Sequence, residues 1–111
     1  ASLFTGHPIA LTAADFDLHA QRAEIPLVVD FWAPWCGPCR MMAPAYEQAA
    51  QMLEPQVRLA KVNTEEEQPL AARFGISSIP TLVLLRGGRE LGRQPGALGL
   101  QDIVRWVRSK I

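Results

Sequence analysis

Cysteine is scarce in this chain: there are two in 111 residues, three positions apart. A small secreted fold stapled by disulfides needs several bridges spread along its length, so that architecture is excluded. The two histidines, His7 and His19, are twelve positions apart and upstream of both cysteines, which is not the ligand spacing of a zinc site. No apolar run approaches the roughly 20 residues of a membrane helix. The opening Ala1–Thr5 has neither a basic n-region nor an apolar h-region, so neither a membrane span nor a targeting segment is expected. Net charge is also absent, because eleven basic residues balance eleven acidic ones. Nothing in that balance holds a phosphate backbone or an anionic bilayer, and no nucleic-acid or membrane partner is expected. The balance hides an asymmetry: residues 1–67 carry four basic and nine acidic groups, residues 68–111 seven and two.

What is present is a globular composition. Hydrophobic residues make up 49 % and charged residues 20 %, and the nine prolines and eight glycines follow no repeat, which excludes disordered and collagen-like chains. The length fits one domain over 1–111, with no linker or internal repeat. Strands are expected at Leu27–Ala33, Val57–Asn63 and Thr81–Leu85. The first and third are nearly continuous apolar runs, as in strands covered on both faces. Gly87-Gly88 then turns the chain into Arg89–Gln94 as a tight antiparallel hairpin, whose Arg86, Arg89 and Arg93 read as surface.

Helices are expected in between. Thr12 with Asp15, and Thr64 with Glu67, have the spacing of a capping box. The first leads into Phe16, Ala20 and Ala23, and the second into Leu70, Ala71 and Phe74, stopping at Gly75. Residues 36–53 place Met42, Tyr46, Ala49, Ala50 and Leu53 on one face, with Pro44 expected to kink the run. Leu100, Ile103, Val104, Val107 and Ile111 form the stripe of a C-terminal amphipathic helix. With Ile9–Leu11 as a short first strand, the order is β-α-β-α-β-α-β-β-α, an α/β class with a mixed sheet between helices.

The chemistry concentrates in Trp35-Cys36-Gly37-Pro38-Cys39, which leaves a predicted strand and opens a predicted helix, the context that gives C-x-x-C a redox meaning. Spacing of i and i+3 puts both sulfurs on one helical face. Cys36 then lies at the helix N-terminus, where unpaired N–H groups favour a thiolate, and Cys39, one turn in, should be more buried and less acidic. That inequality suits Cys36 to attack and Cys39 to resolve.

The run Phe31-Trp32-Ala33-Pro34-Trp35-Cys36-Gly37-Pro38-Cys39-Arg40 resembles the active-site segment of the thioredoxin family almost letter for letter. Further similarities follow in order: Pro44, Lys61-Val62-Asn63, Phe74-Gly75-Ile76, Ile79-Pro80-Thr81, Gly87-Gly88 and Gly96-Ala97. Phe31–Arg40 and Lys61–Glu66 look most like the second type of bacterial thioredoxin, whose members often carry an N-terminal zinc module on four cysteines that this sequence does not contain. The resemblance implies a thioredoxin fold, a central mixed five-stranded sheet flanked by four helices. It implies general protein-disulfide reduction in the bacterial cytoplasm by a monomer without metal or organic cofactor. The oxidised protein substrates would be served by electrons from an NADPH-dependent flavoprotein, thioredoxin reductase.

Asp30 interrupts the apolar run 27–33, where burying a carboxylate without a partner is costly, and alternation puts it on the face of Val28 and Trp32. The resemblance implies that Asp30 lies beneath Cys39 as its general base, directly or through water, with Lys61 close by. A buried structural ion pair is the alternative reading of the same residue. The resemblance also implies a cis bond at Ile79-Pro80 facing the cysteines, and an apolar substrate surface from Trp35, Gly37, Pro38, Ile79, Pro80 and Gly96. Pro95 departs from the family's usual Val beside that glycine. Trp32 reads as core, Met41 and Met42 as packing residues, and Glu65-Glu66-Glu67 as a solvated run favoured by a helix dipole. The rival of a different class is a binding module that uses the same groove with redox as a switch or irrelevant. Turnover separates the two, since a scaffold works with both cysteines replaced by Ser.

Overall fold

The computed structural model describes residues 5–111; Ala1–Phe4, most of the segment read above for targeting signals, lie outside it. In chain order the elements are β1 (Ile9–Ala10), α1 (Phe16–Ala20), β2 (Leu27–Trp32), α2 (Gly37–Leu53), β3 (Arg58–Asn63), α3 (Gln68–Arg73), β4 (Thr81–Arg86), β5 (Arg89–Pro95) and α4 (Leu100–Lys110). The sheet runs β1-β3-β2-β4-β5, with β1, β3 and β2 parallel and β4 and β5 antiparallel. This is the mixed five-stranded sheet with four helices that the alternation implied.

The continuous apolar run of β2 has its cause in this order, because β2 is central and both of its faces are covered. Val28, Leu59, Leu82 and Leu84 pack on one face against Met42, Tyr46, Ala49 and Leu53 of α2 and Ile103 and Val107 of α4. Val29, Phe31, Ala60, Val62 and Val83 pack on the other against Phe16 of α1, Leu70 of α3 and Phe74. Fully burying one such aliphatic or aromatic side chain contributes about 1.5–3 kcal/mol. β5 is an edge strand and almost wholly exposed. The hairpin turn uses Gly87 and Gly88 at φ 58° and 79°, values a side chain resists, and its N–H groups donate to Arg22 O and Ala20 O, which moors the turn to the end of α1.

Two helix starts differ from the capping reading. At α1 only half of the box forms: Asp15 Oδ1 accepts the Thr12 N–H at 2.7 Å, and the helix then lasts five residues, ending before Ala23. At α3 the Thr64 hydroxyl instead donates to Trp32 O at 3.0 Å, tying β3 to the end of β2. Asn63 O accepts the N–H groups of Glu66 and Glu67, and the helix begins only at Gln68 with Pro69 in its first turn. Pro44 lies inside the continuous α2, on its exposed side. Ile111 is exposed beyond the end of α4 rather than part of its buried stripe.

Candidate functional site

β2 delivers the chain to the dithiol. Cys36 is the N-cap of α2, with extended dihedrals (φ −84°, ψ 112°), and Pro38 stands in the first turn, where its missing N–H costs nothing. The Cys39 N–H donates to Cys36 Sγ at 3.2 Å, so this sulfur occupies the place where a helix presents unpaired N–H groups. Cys36 and Cys39 form a disulfide with Cα atoms 5.3 Å apart. Their burial does not separate them as expected: Cys36 is 4 % exposed and Cys39 3 %. Position does, since Cys36 caps the helix with its Sγ 3.7 Å from the Ile79 carbonyl oxygen, and Cys39 lies one turn inside.

Ile79-Pro80 is cis. Pro80 O accepts the Gly96 N–H at 2.9 Å, which brings the loop after β5 alongside the dithiol. Gly96 has φ 91° with open space where a Cβ would stand, so the backbone angle and not crowding requires glycine. Pro95 is accommodated as the last residue of β5, opposite Thr81 on the sheet's edge. Gly37, Pro38 and Trp35 are exposed around the sulfurs. Trp35, 67 % exposed, is held by its indole N–H, which donates to Glu65 Oε1. Beside it a shallow cavity of about 210 Å³ is walled by Trp35, Thr64, Ile76 and Ile79.

Asp30 is 2 % exposed in the middle of β2, and its Oδ1 is buried without a hydrogen-bond partner. Burial pushes its carboxyl up to about 7, and the positive charge of Lys61 opposes that rise more weakly. Tyr46 of α2, wholly buried, donates its hydroxyl to Ala60 O at 2.8 Å, with Val28 O at 3.1 Å, on the two strands that carry Asp30 and Lys61. Its phenol is held well above the usual range, by burial first and then by the nearby Asp30 charge.

Three sequence readings need correction. Trp32 is half-buried rather than core: it packs against the disulfide and takes the Lys61 ammonium over its ring at 4.5 Å. The glutamate run precedes α3 rather than opening it. Glu65 holds Trp35 and Glu67 accepts the Ala13 N–H at 2.8 Å, so two of the three are structural acceptors. Met42 is buried as expected, but Met41 is 80 % exposed. The role of Glu65 was not legible, since its carboxylate meets Trp35 only when β3 lies beside β2.

The description of the Thioredoxin family matches residues 7–109. Thioredoxin 1 of Synechococcus elongatus is 46 % identical over 89 residues, covering 80 % of this chain and 83 % of that protein. The thioredoxin of Haemophilus influenzae is 39 % identical over 98 residues, 88 % and 92 % of the two chains, and that of Alicyclobacillus acidocaldarius is 47 % identical over 91 residues, 78 % and 86 %. Among the described residues no helix is long and apolar enough to cross a membrane, and no group of three His, Cys, Asp or Glu side chains could hold a metal ion. A helix-capping cysteine bridged to a second one turn on, at the end of a sheet in this strand order, joins with that match along nearly the whole chain to place the protein in the thioredoxin family, as a thiol–disulfide oxidoreductase.

Proposed function

We propose that the chain, acting as one domain, is a general protein-disulfide reductase in which Cys36 attacks and Cys39 resolves. The observation that carries this division is the capping geometry: Cys36 Sγ accepts the Cys39 N–H at 3.2 Å at the positive end of α2, where a thiolate is favoured. In the reduced protein the Cys36 thiolate attacks one sulfur of an oxidised substrate, forming a mixed disulfide and releasing the first substrate thiolate. Asp30, as carboxylate, takes the proton of Cys39, directly or through water. The Cys39 thiolate then attacks Cys36 Sγ and releases the second substrate thiol, leaving the disulfide present in the structure. Two electrons pass from the dithiol to the substrate, and no metal or organic cofactor takes part.

Trp35, Gly37, Pro38, Ile79, Pro80 and Gly96 form the surface that receives the substrate chain, with the Ile79 backbone beside Cys36. Lys61 tempers the charge of Asp30 from the neighbouring strand. An NADPH-dependent flavoprotein thioredoxin reductase returns the electrons. The runs 31–40 and 61–66 support assignment to the second bacterial type, working as a monomer in the cytoplasm.

Insulin reduction coupled to NADPH through a thioredoxin reductase tests the reading. Turnover by the native chain and none by Cys36→Ser is expected; an unchanged biological role with both cysteines replaced by Ser would instead establish the binding-module reading.

A further inference from the structure

The three methionines differ sharply in access: Met41 is 80 % exposed, Met52 46 % and Met42 2 %. Met42 also has its sulfur engaged, since the Leu98 N–H points to its Sδ at 3.4 Å. Met41 and Met42 wall a depression of about 280 Å³ with Ala45, Ala97, Leu98 and Gly99, between the first turns of α2 and the loop into α4. That loop begins at Gly96, hydrogen-bonded to Pro80 O, so the wall of the depression runs on directly from the Gly96 end of the docking surface. In the disulfide state both cysteine sulfurs are already oxidised and shielded, 4 % and 3 % exposed. The Met41 thioether then stands on this face as an unoxidised and accessible sulfur.

We propose that Met41 is a sulfoxidation site that hydroperoxides oxidise while the protein is in its disulfide form, and that the resulting sulfoxide weakens docking of oxidised substrates once the dithiol has been restored. The docking half of this proposal rests on the reductase function given above. The thioether lone pair attacks the distal oxygen of a hydroperoxide. The O–O bond breaks, an S–O bond forms, and the displaced alkoxide or hydroxide takes up a proton to leave as alcohol or water. Sulfur loses two electrons and the peroxide gains them. The product carries a strong polar oxygen on a flexible side chain in the apolar wall. A docked polypeptide must then either leave that oxygen unpaired or stand off from the wall.

The test treats the full-length disulfide form with hydrogen peroxide, follows the addition of one oxygen by peptide mass spectrometry, and measures insulin reduction after the peroxide is removed. Met41 should be oxidised before Met52, with Met42 untouched while the protein is folded. KM for insulin should rise on the order of fivefold with kcat little changed, the cost of one imperfectly solvated polar group. Each variant is compared with itself before and after peroxide: Met41→Leu should show no peroxide-induced rise in KM, and Met52→Leu the full rise. Oxidation at Met52 or Met42 ahead of Met41 overturns the site assignment. Oxidation at Met41 with KM unmoved overturns the docking effect. Absence of insulin turnover before any peroxide defeats the reductase reading and the docking effect with it, while the mass map still decides the site.

Discussion

Asp30 stands directly opposite Lys61 across the parallel β2–β3 ladder, yet the Lys61 ammonium lies over the ring of Trp32, 4.5 Å from its centroid. The carboxyl is thereby left with burial as its dominant influence, and its pKa rises to about 7 instead of falling as in a tight ion pair. The sequence alone left both outcomes open.

A stability prediction follows from this. The folded-state pKa of Asp30 exceeds its unfolded value, so the ionised form costs stability. The cost grows as pH climbs from the ordinary carboxylate range toward 7 and is fully present above it. Its size is on the order of 4 kcal/mol at 1.36 kcal/mol for each pKa unit. Asp30→Ala should therefore raise the urea midpoint at pH 8 and change it much less at pH 4. A variant less stable than the native chain at pH 8 would show that Asp30 is a structural ion-pair partner.

The same substitution should slow resolution. Without a group to take the Cys39 proton, mixed disulfides should persist, with the resolving step about 10²-fold slower or more, the usual scale of a lost general base. In the native protein that step should accelerate as pH rises through about 7, following ionisation of Asp30. Single-turnover reduction of a fluorescent disulfide from pH 5.5 to 8.5 measures both. An identical pH profile with and without the carboxylate removes Asp30 from the mechanism.

The two cysteines should fail in different ways. Cys36→Ser should engage no substrate, while Cys39→Ser should attack and then accumulate as a covalent mixed disulfide visible on a non-reducing gel. Alkylation of the reduced protein should reach Cys36 first, since its sulfur caps α2. Faster modification of Cys39 would reverse the two roles.

Tyr46→Phe should destabilise the protein without abolishing activity. It removes the buried hydroxyl that donates to Ala60 O, with Val28 O also in reach, at a cost of about 1–3 kcal/mol. Denaturant unfolding of both proteins provides the measurement, and a midpoint equal to the native one would mean that these carbonyls are satisfied without the hydroxyl.

Much of this molecule is written locally in its residues. Apolar runs at 27–33 and 81–85 reveal central strands, because only strands covered on both faces carry such runs. Gly87-Gly88 reveals the hairpin because few other residues adopt its angles. The W-C-G-P-C run carries its own chemistry, since three-residue spacing and a helix start make two thiols unequal. Tertiary structure decided what depends on neighbours distant in sequence. Thr64 and Glu67 have the spacing of a capping box, but the Thr64 hydroxyl meets Trp32 O on β2, 32 positions away, and the helix starts later. Glu65 reads as a solvated charge until β3 brings it to Trp35. Adjacent Met41 and Met42 look alike in sequence, but a helix turns about 100° per residue, so one is buried against the core while the other faces outward. Asp30 shows most clearly where local pattern stops. Its place in an apolar strand identifies it, but its proton affinity was set first by burial within the assembled sheet, with the Lys61 ammonium, lying over the Trp32 ring, opposing that rise only in part, and both depend on neighbours that only the tertiary structure supplies.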